Sequence, residues 1–276
     1  MIMADYKFTY VSVLRSEARM FDDLAVVLDR HRIQGHLRQR ILLALSEAFV
    51  NALVHANALN PAKEVVLSIN INETMFSADI VDQGHGGTER VRCKQKPALL
   101  AENGRGIDLI RHCCDAVEFI RHGSGGMRVS MRFNRDKSDD RTRDERHERS
   151  QIHSSYSEEV MNINLREDGS VTILDLDGRL DLASGSALKE QVKELLEKGK
   201  SSIHLNLAQV DFINSSGLGA LVSMMKESRL HKGRLTLSNL ASYVQEIFDI
   251  TQLSHIFEIF PTEQEAINSF QVVNTN

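Results

Sequence analysis

Residues 134–150 partition this chain, because the stretch carries six acidic and six basic side chains and no large apolar one. Such a segment cannot bury a core, so it is either a disordered tether or a fully solvated helix. Ser154, Ser155 and Ser157 prolong it to Glu159. The apolar residues on either side must then form two separate cores, which gives a boundary scheme of 1–133, 134–159 and 160–276. Because the charges of the divider cancel, it does not read as a nucleic-acid-binding tract.

In the first part, the segment Ser46 to His55 spaces Glu47, Asn51 and His55 at i, i+4 and i+8, which on an α-helix forms one polar stripe. Leu42, Leu43, Leu45, Phe49, Ala52 and Leu53 supply the apolar remainder. A carboxylate and a carboxamide one turn apart can serve a proton and a metal. A core helix with a few satisfied polar groups has the same pattern. Two glycine clusters follow. The alternating run Phe76 to Val81 reads as a strand and delivers Asp82, then Gln83-Gly84-His85-Gly86-Gly87, a carboxylate at a strand end beside backbone that can approach a ligand closely. Further on, Gly104-Arg105-Gly106 opens a short apolar helix, Ile107 to Cys113, and backbone N–H groups at such a start attract phosphate. Neither cluster matches the dinucleotide fingerprint or the Gly-Lys-Ser/Thr phosphate loop.

Taken in order, Glu-x-x-x-Asn-Ala-x-x-His, Asp-x-Gly-x-Gly, Gly-Arg-Gly-Ile and the strand Gly125-Gly126-Met127-Arg128-Val129 resemble the GHKL (Bergerat-type) ATP-binding fold, an α/β sandwich. The short layout over residues 7–133 is similar to the anti-sigma-factor serine-protein kinases. The resemblance implies that Asn51 holds Mg2+ and that Glu47 is the general base. It implies that Asp82 accepts the adenine amino group of ATP, that Gly84 and Gly86 shape the adjacent turn, and that Gly104, Arg105 and Gly106 cover the phosphates. Gly126 belongs to the last motif, which in the family reads Gly-Thr; here Met127 follows it. His55 has two readings, packing against the nucleotide-side loop or a structural place in the helix. Residues 87–103, with Arg90, Arg92, Lys94 and Lys96, correspond to the lid, where basic side chains favour triphosphate; a solvated loop has the same composition.

The second part alternates strands and helices. Val160–Glu167 and Val171–Asp181 read as a hairpin across Asp168-Gly169, followed by a helix over 184–198 and a buried-type strand over 203–207. A helix over 218–230, a strand over 234–237, and helices over 244–253 and 263–270 complete it. This pattern predicts a mixed sheet with packed helices. Asn214 is a good N-cap ahead of Ser215-Ser216-Gly217. From Gly178-Arg179-Leu180-Asp181 through Asn-Ser-Ser-Gly-Leu-Gly to Phe248-Asp249-Ile250-Thr251, this part resembles the STAS fold of anti-sigma-factor antagonists. The resemblance maps the phospho-acceptor onto Ser215, with Asn214 where the family usually has Asp. A phosphate there adds roughly 1.5 to 2 negative charges at a helix N-terminus, a change that switches binding without refolding.

The combined expectation is a two-domain α/β (α+β) protein in which an ATP- and Mg2+-dependent protein-serine kinase is fused to its substrate class in a partner-switching pathway. The partners implied are a STAS-domain antagonist or the chain's own STAS domain, a sigma factor or other regulator, a PP2C-type phosphatase, and a second copy forming a homodimer through the kinase domain. One alternative is a nucleotide-gated binding regulator with vestigial catalysis; a less favoured one is a sensor histidine kinase fragment. A tether of about 25 residues reaches roughly 25 to 30 Å, and short flexible tethers give millimolar effective concentrations, so the two parts are expected to meet. Residues 1–133 hold 17 Lys/Arg against 15 Asp/Glu, and residues 151–276 hold 10 against 17, an asymmetry that permits long-range attraction. The net charge of −5 argues against a general nucleic-acid binder. With no run near ~20 apolar residues and a polar, strand-like Met1–Tyr10, no membrane span or signal peptide is expected, and the chain reads as cytoplasmic. Cys93, Cys113 and Cys114 lack metal-ligand spacing and read as reduced thiols.

Overall fold

The computed structural model describes residues 4–84, 100–102, 104–122, 125–136 and 161–272. The chain divides into two compact units, one of residues 1–94 with 110–158, the other of residues 95–109 with 159–276.

The first unit contains strand β1 (Ala4–Val11), helix α1 (Ser16–Arg30), helix α2 (Gly35–Val50), a π-helical turn (Asn51–Ala56), and strands β2 (Glu64–Ile71) and β3 (Met75–Val81). The end of helix α3 (Gly106–Cys113) and strands β4 (Ala116–His122) and β5 (Gly126–Asn134) complete it. Its five strands form an antiparallel sheet in the order β1-β2-β3-β5-β4. Along β2, Val65, Leu67, Ile69 and Ile71 are buried while Val66, Ser68 and Asn70 between them are half-buried. That period of two is what a sheet covered on one face imposes. Phe49 and Leu45 of α2 and Leu24 and Leu28 of α1 are fully buried in the core, with Phe76 and Phe133 in edge-to-face contact within it.

In the second unit, strands β6 (Asn162–Asp168) and β7 (Val171–Leu180) form the expected hairpin, and Gly169 takes the positive φ its turn requires. Helix α4 (Leu182–Glu197), strand β8 (Ser202–Ile213), helix α5 (Ser215–Leu230), strand β9 (Arg234–Ser238), helix α6 (Ser242–Ile250), strand β10 (Glu258–Phe260) and helix α7 (Glu263–Val272) follow. The sheet order is β10-β9-β8-β7-β6, parallel throughout except for antiparallel β6, so it is mixed as the alternation suggested. Strand β8 runs well past the predicted 203–207, because Gln209, Val210, Phe212 and Ile213 stay paired with β7 across two shifts of register. Strand β10 was not foreseen; three residues carry no readable period.

A polar layer lies on the sheet face beside α7. Arg166 grips Asp175 with two hydrogen bonds, of 2.7 and 3.0 Å, and also pairs with Glu263. Asn206 donates to both carboxylates. Fully buried His204 bridges Thr236 Oγ1 at 2.8 Å and Ser238 Oγ at 2.9 Å. Burial lowers the His204 pKa from 6.5 to about 4. The folded chain thus holds the ring neutral while the unfolded chain protonates it first. Stability from this group is therefore complete above pH 6.5, falls as pH drops, and levels off near 4. We expect a loss of about 3 kcal/mol across that window from this group alone. Urea unfolding at stepped pH should show this slope in the native protein and a flatter one in His204→Gln; equal slopes would refute the assignment.

Candidate functional site

Helix α2 buries Glu47 to 1 % exposure, in the middle of an apolar run whose neighbours Leu45, Ala48 and Phe49 have no exposed face. Ser46, beside it, donates its hydroxyl to Glu17 Oε1 of α1 at 3.2 Å. Glu17 is a second buried carboxylate in this region that the motif reading did not single out. The α-helix ends at Val50, and Asn51 begins the π turn. Isolated π turns recur at functional positions because they re-aim one side chain. Burial falls along the three predicted residues: Glu47 is buried, Asn51 half-buried and His55 exposed. The wider turn takes more residues per revolution, which offsets the drift of an i, i+4, i+8 series on an α-helix.

The chain after the π turn is tied to β2 and to the turn after β3 by Asn57, which is 1 % exposed. Its Oδ1 accepts from Gln83 N at 3.1 Å, and its Nδ2 donates to Glu64 O at 3.0 Å. Gln83 Oε1 closes the loop by accepting from Glu64 N at 2.8 Å. Local sequence offered no signal for Asn57, since its partners come from β2 and from the turn after β3.

Asp82 follows the last residue of β3 and is 8 % exposed. A single oxygen, Oδ1, accepts from Gly84 N at 2.9 Å and Met127 N at 3.1 Å. Among the described residues no hydrogen bond reaches Oδ2. Burial raises the Asp82 pKa, with the two amides and the Lys63 charge pulling the other way. Two glycines make this geometry possible. A Cβ on Gly84 would lie 2.4 Å from Ala56 O, and one on Gly126 would lie 2.1 Å from Asp82 O. Met127 supports Asp82 through its backbone N–H, and its own side chain is buried, so no side-chain hydroxyl is needed for this clamp. Gly86 and the basic residues of the expected lid lie outside the described residues.

In the second unit, Gly104 adopts φ 106°, Arg105 is 3 % exposed, and Gly106 opens α3. The Arg105 guanidinium donates to Ala101 O, and its carbonyl accepts from Asp108 N and Leu109 N, both at 3.1 Å. Arg105 therefore braces the start of the helix from within.

Ser215 is the first residue of α5 and is half-buried. Asn214 caps the helix, its Oδ1 accepting from Ser216 N and Gly217 N, both at 3.1 Å. Asn and Asp cap equally well, so replacing Asp by Asn keeps the turn and removes one negative charge beside Ser215. Gly217 is required because a Cβ there would meet Leu180 O at 2.1 Å. Asp181 caps α4 through Ala183 N and Ser184 N, and Asn214 N bonds Leu180 O, so the two helix starts are linked. Among the described residues no helix is long and apolar enough to cross a membrane. Cys113 is buried and Cys114 half-buried, and burial pushes the Cys114 thiol up to about 12.

Two family models match the chain, a histidine kinase-like ATPase domain over residues 12–133 and a STAS domain over residues 162–266. The anti-sigma-B factor antagonist of Listeria monocytogenes is 31 % identical over 88 residues, covering 32 % of this chain and 77 % of the relative. That of Bacillus subtilis is 29 % identical over 99 residues, covering 36 % and 90 %. The crystal structure of an anti-sigma factor antagonist from Mycobacterium paratuberculosis is 17 % identical with a TM-score of 0.37, over 40 % of this chain and 92 % of that one. The chain therefore belongs, through residues 162–266, to the STAS family that includes the anti-sigma-B factor antagonists, and carries a histidine kinase-like ATPase domain over residues 12–133.

Proposed function

We propose that this chain is a protein-serine kinase of a partner-switching pathway, moving the γ-phosphoryl group of ATP to a serine of a STAS domain, its own Ser215 or that of a partner. The observation that carries the reading is Asp82, a buried carboxylate clamped by two backbone amides on one oxygen and able to accept from a ligand on the other. This arrangement suits the exocyclic amine of adenine. Asn51 offers a neutral oxygen donor at a half-buried position, which suits a cation that takes few protein ligands and leaves the rest to water and phosphate. When bound with the nucleotide, magnesium would supply neutralisation of phosphate charge. Glu47 takes the proton of the attacking serine hydroxyl. The serine Oγ–P bond forms, the bond from γ-phosphorus to the bridging oxygen breaks, and ADP departs with that electron pair. The partners follow from the STAS family: an antagonist-type STAS domain, a sigma factor or comparable regulator, and a phosphatase that resets the serine.

A second reading is favoured by one observation. Arg105 is turned onto Ala101 O, so its guanidinium does structural service at the segment expected to cover phosphates. This suits a nucleotide-gated binding regulator without transfer. Incubation with γ-labelled ATP and magnesium separates the two. The kinase reading expects acid-stable label that Ser215→Ala reduces at least about tenfold, or that appears on an added STAS protein. Nucleotide binding without any label on either would establish the second reading.

A further inference from the structure

Helix α5 is buried more widely than a helix lying on one sheet needs. Leu218, Leu221 and Met225 supply an apolar stripe at helical spacing, and Ala220 meets Gly185 of α4. Yet Gly219, Val222 and Ser223, on a further side, are buried as well, Val222 completely. An α-helix lying on a sheet and one neighbouring helix normally keeps that side wet.

Residues 95–109 belong to the same compact unit as this helix, and Glu102 meets it at Gly219 and Lys226. The Glu102 carbonyl oxygen lies so close to Gly219 that a Cβ there would be 2.3 Å from it. Its carboxylate meets Lys226 Nζ at 3.1 Å. At 100° per residue, Ser215, Gly219, Val222 and Lys226 fall within one narrow stripe of α5. The glycine admits the backbone and the lysine fixes the register.

We infer that this stripe of α5 is a docking surface whose occupant is the segment around Glu102 of the same chain. The helix that begins at Ser215 thereby holds the segment that runs into Gly104-Arg105-Gly106. The surface is thus occupied in cis, and a separate STAS protein seeking that segment, or a separate partner seeking α5, must first displace the contact. This consequence rests on the kinase reading only where it assigns Gly104 to Gly106 to the phosphates; the docking itself does not.

The test uses the full chain without nucleotide, which keeps failure of the docking distinct from failure of the kinase reading. A carbodiimide inserts no spacer, so it joins a carboxylate and an amine of one folded chain efficiently when the two are held in contact. Treatment followed by peptide mass spectrometry should yield a Glu102–Lys226 amide in the monomeric band. Absence of that link, or its presence only in a dimeric band, overturns the inference. Hydrogen exchange over residues 100–109 supplies the second readout. Lys226→Glu should speed it about two- to fivefold, the size expected for a half-exposed ion pair, and Glu102→Lys added to Lys226→Glu should restore it. Gly219→Leu should speed it at least about tenfold through steric exclusion. Exchange unchanged in Lys226→Glu and Gly219→Leu would equally overturn it.

Discussion

Glu47→Gln should lower phosphoryl transfer to a STAS serine by about 10²- to 10⁴-fold while leaving nucleotide affinity within a few-fold of the native protein. The substitution keeps the volume and shape of a side chain that is 1 % exposed, so it neither opens a cavity nor strands a charge. What it removes is the capacity to accept a proton. The measurements are single-turnover transfer from labelled ATP, nucleotide titration by calorimetry, and a urea midpoint as a check on folding. Native-like transfer would assign the proton to another group. A variant that loses binding and stability together would make Glu47 a structural carboxylate like its neighbour Glu17, which accepts from Ser46.

Gly126→Ala should nearly eliminate nucleotide binding and destabilise the first unit. A methyl group at this position would sit 2.1 Å from Asp82 O, a backbone atom that cannot swing away as a side chain can. Strands β3 and β5 must then part locally, which breaks Asp82 N–H to Met127 O at 3.0 Å and Met127 N–H to Asp82 Oδ1 at 3.1 Å. Losing buried hydrogen bonds of this kind, one of them to a carboxylate, costs on the order of 3 kcal/mol. It also releases the side chain proposed to recognise adenine. Urea unfolding and nucleotide-induced thermal shift should both change; native values for both would show that the interlock carries no weight.

The parts of the architecture that were readable from residue order are those governed by short-range rules. The period-two run Phe76 to Val81 became β3, and the β6–β7 hairpin formed one residue later than expected, turning at Gly169-Ser170 because Asp168 still pairs with Val171. The helix after Asn214 starts there because a carboxamide satisfies the amides of Ser216 and Gly217. Where those rules were extended too far, the folded chain departs from them. The stripe through Glu47, Asn51 and His55 presumed an unbroken α-helix, and a hydrogen-bond shift at Asn51 cannot be read from periodicity. Strand β8 extends because a neighbouring strand accompanies it, and the alternation of Gln209, Val210, Asp211 and Phe212, exposed and buried in turn, belongs to that extension.

Two cores, a mixed sheet in the second of them, and the start of each long helix there follow from hydrophobic spacing and caps, interactions spanning a few residues. The Asp82 clamp and the Asn57 tie involve partners 45 and 26 residues away. Gly84, Gly126 and Gly219 are needed because other segments pass within contact distance of their backbones. No local pattern encodes such approaches, since they arise only when sheet register and helix packing bring distant backbone together.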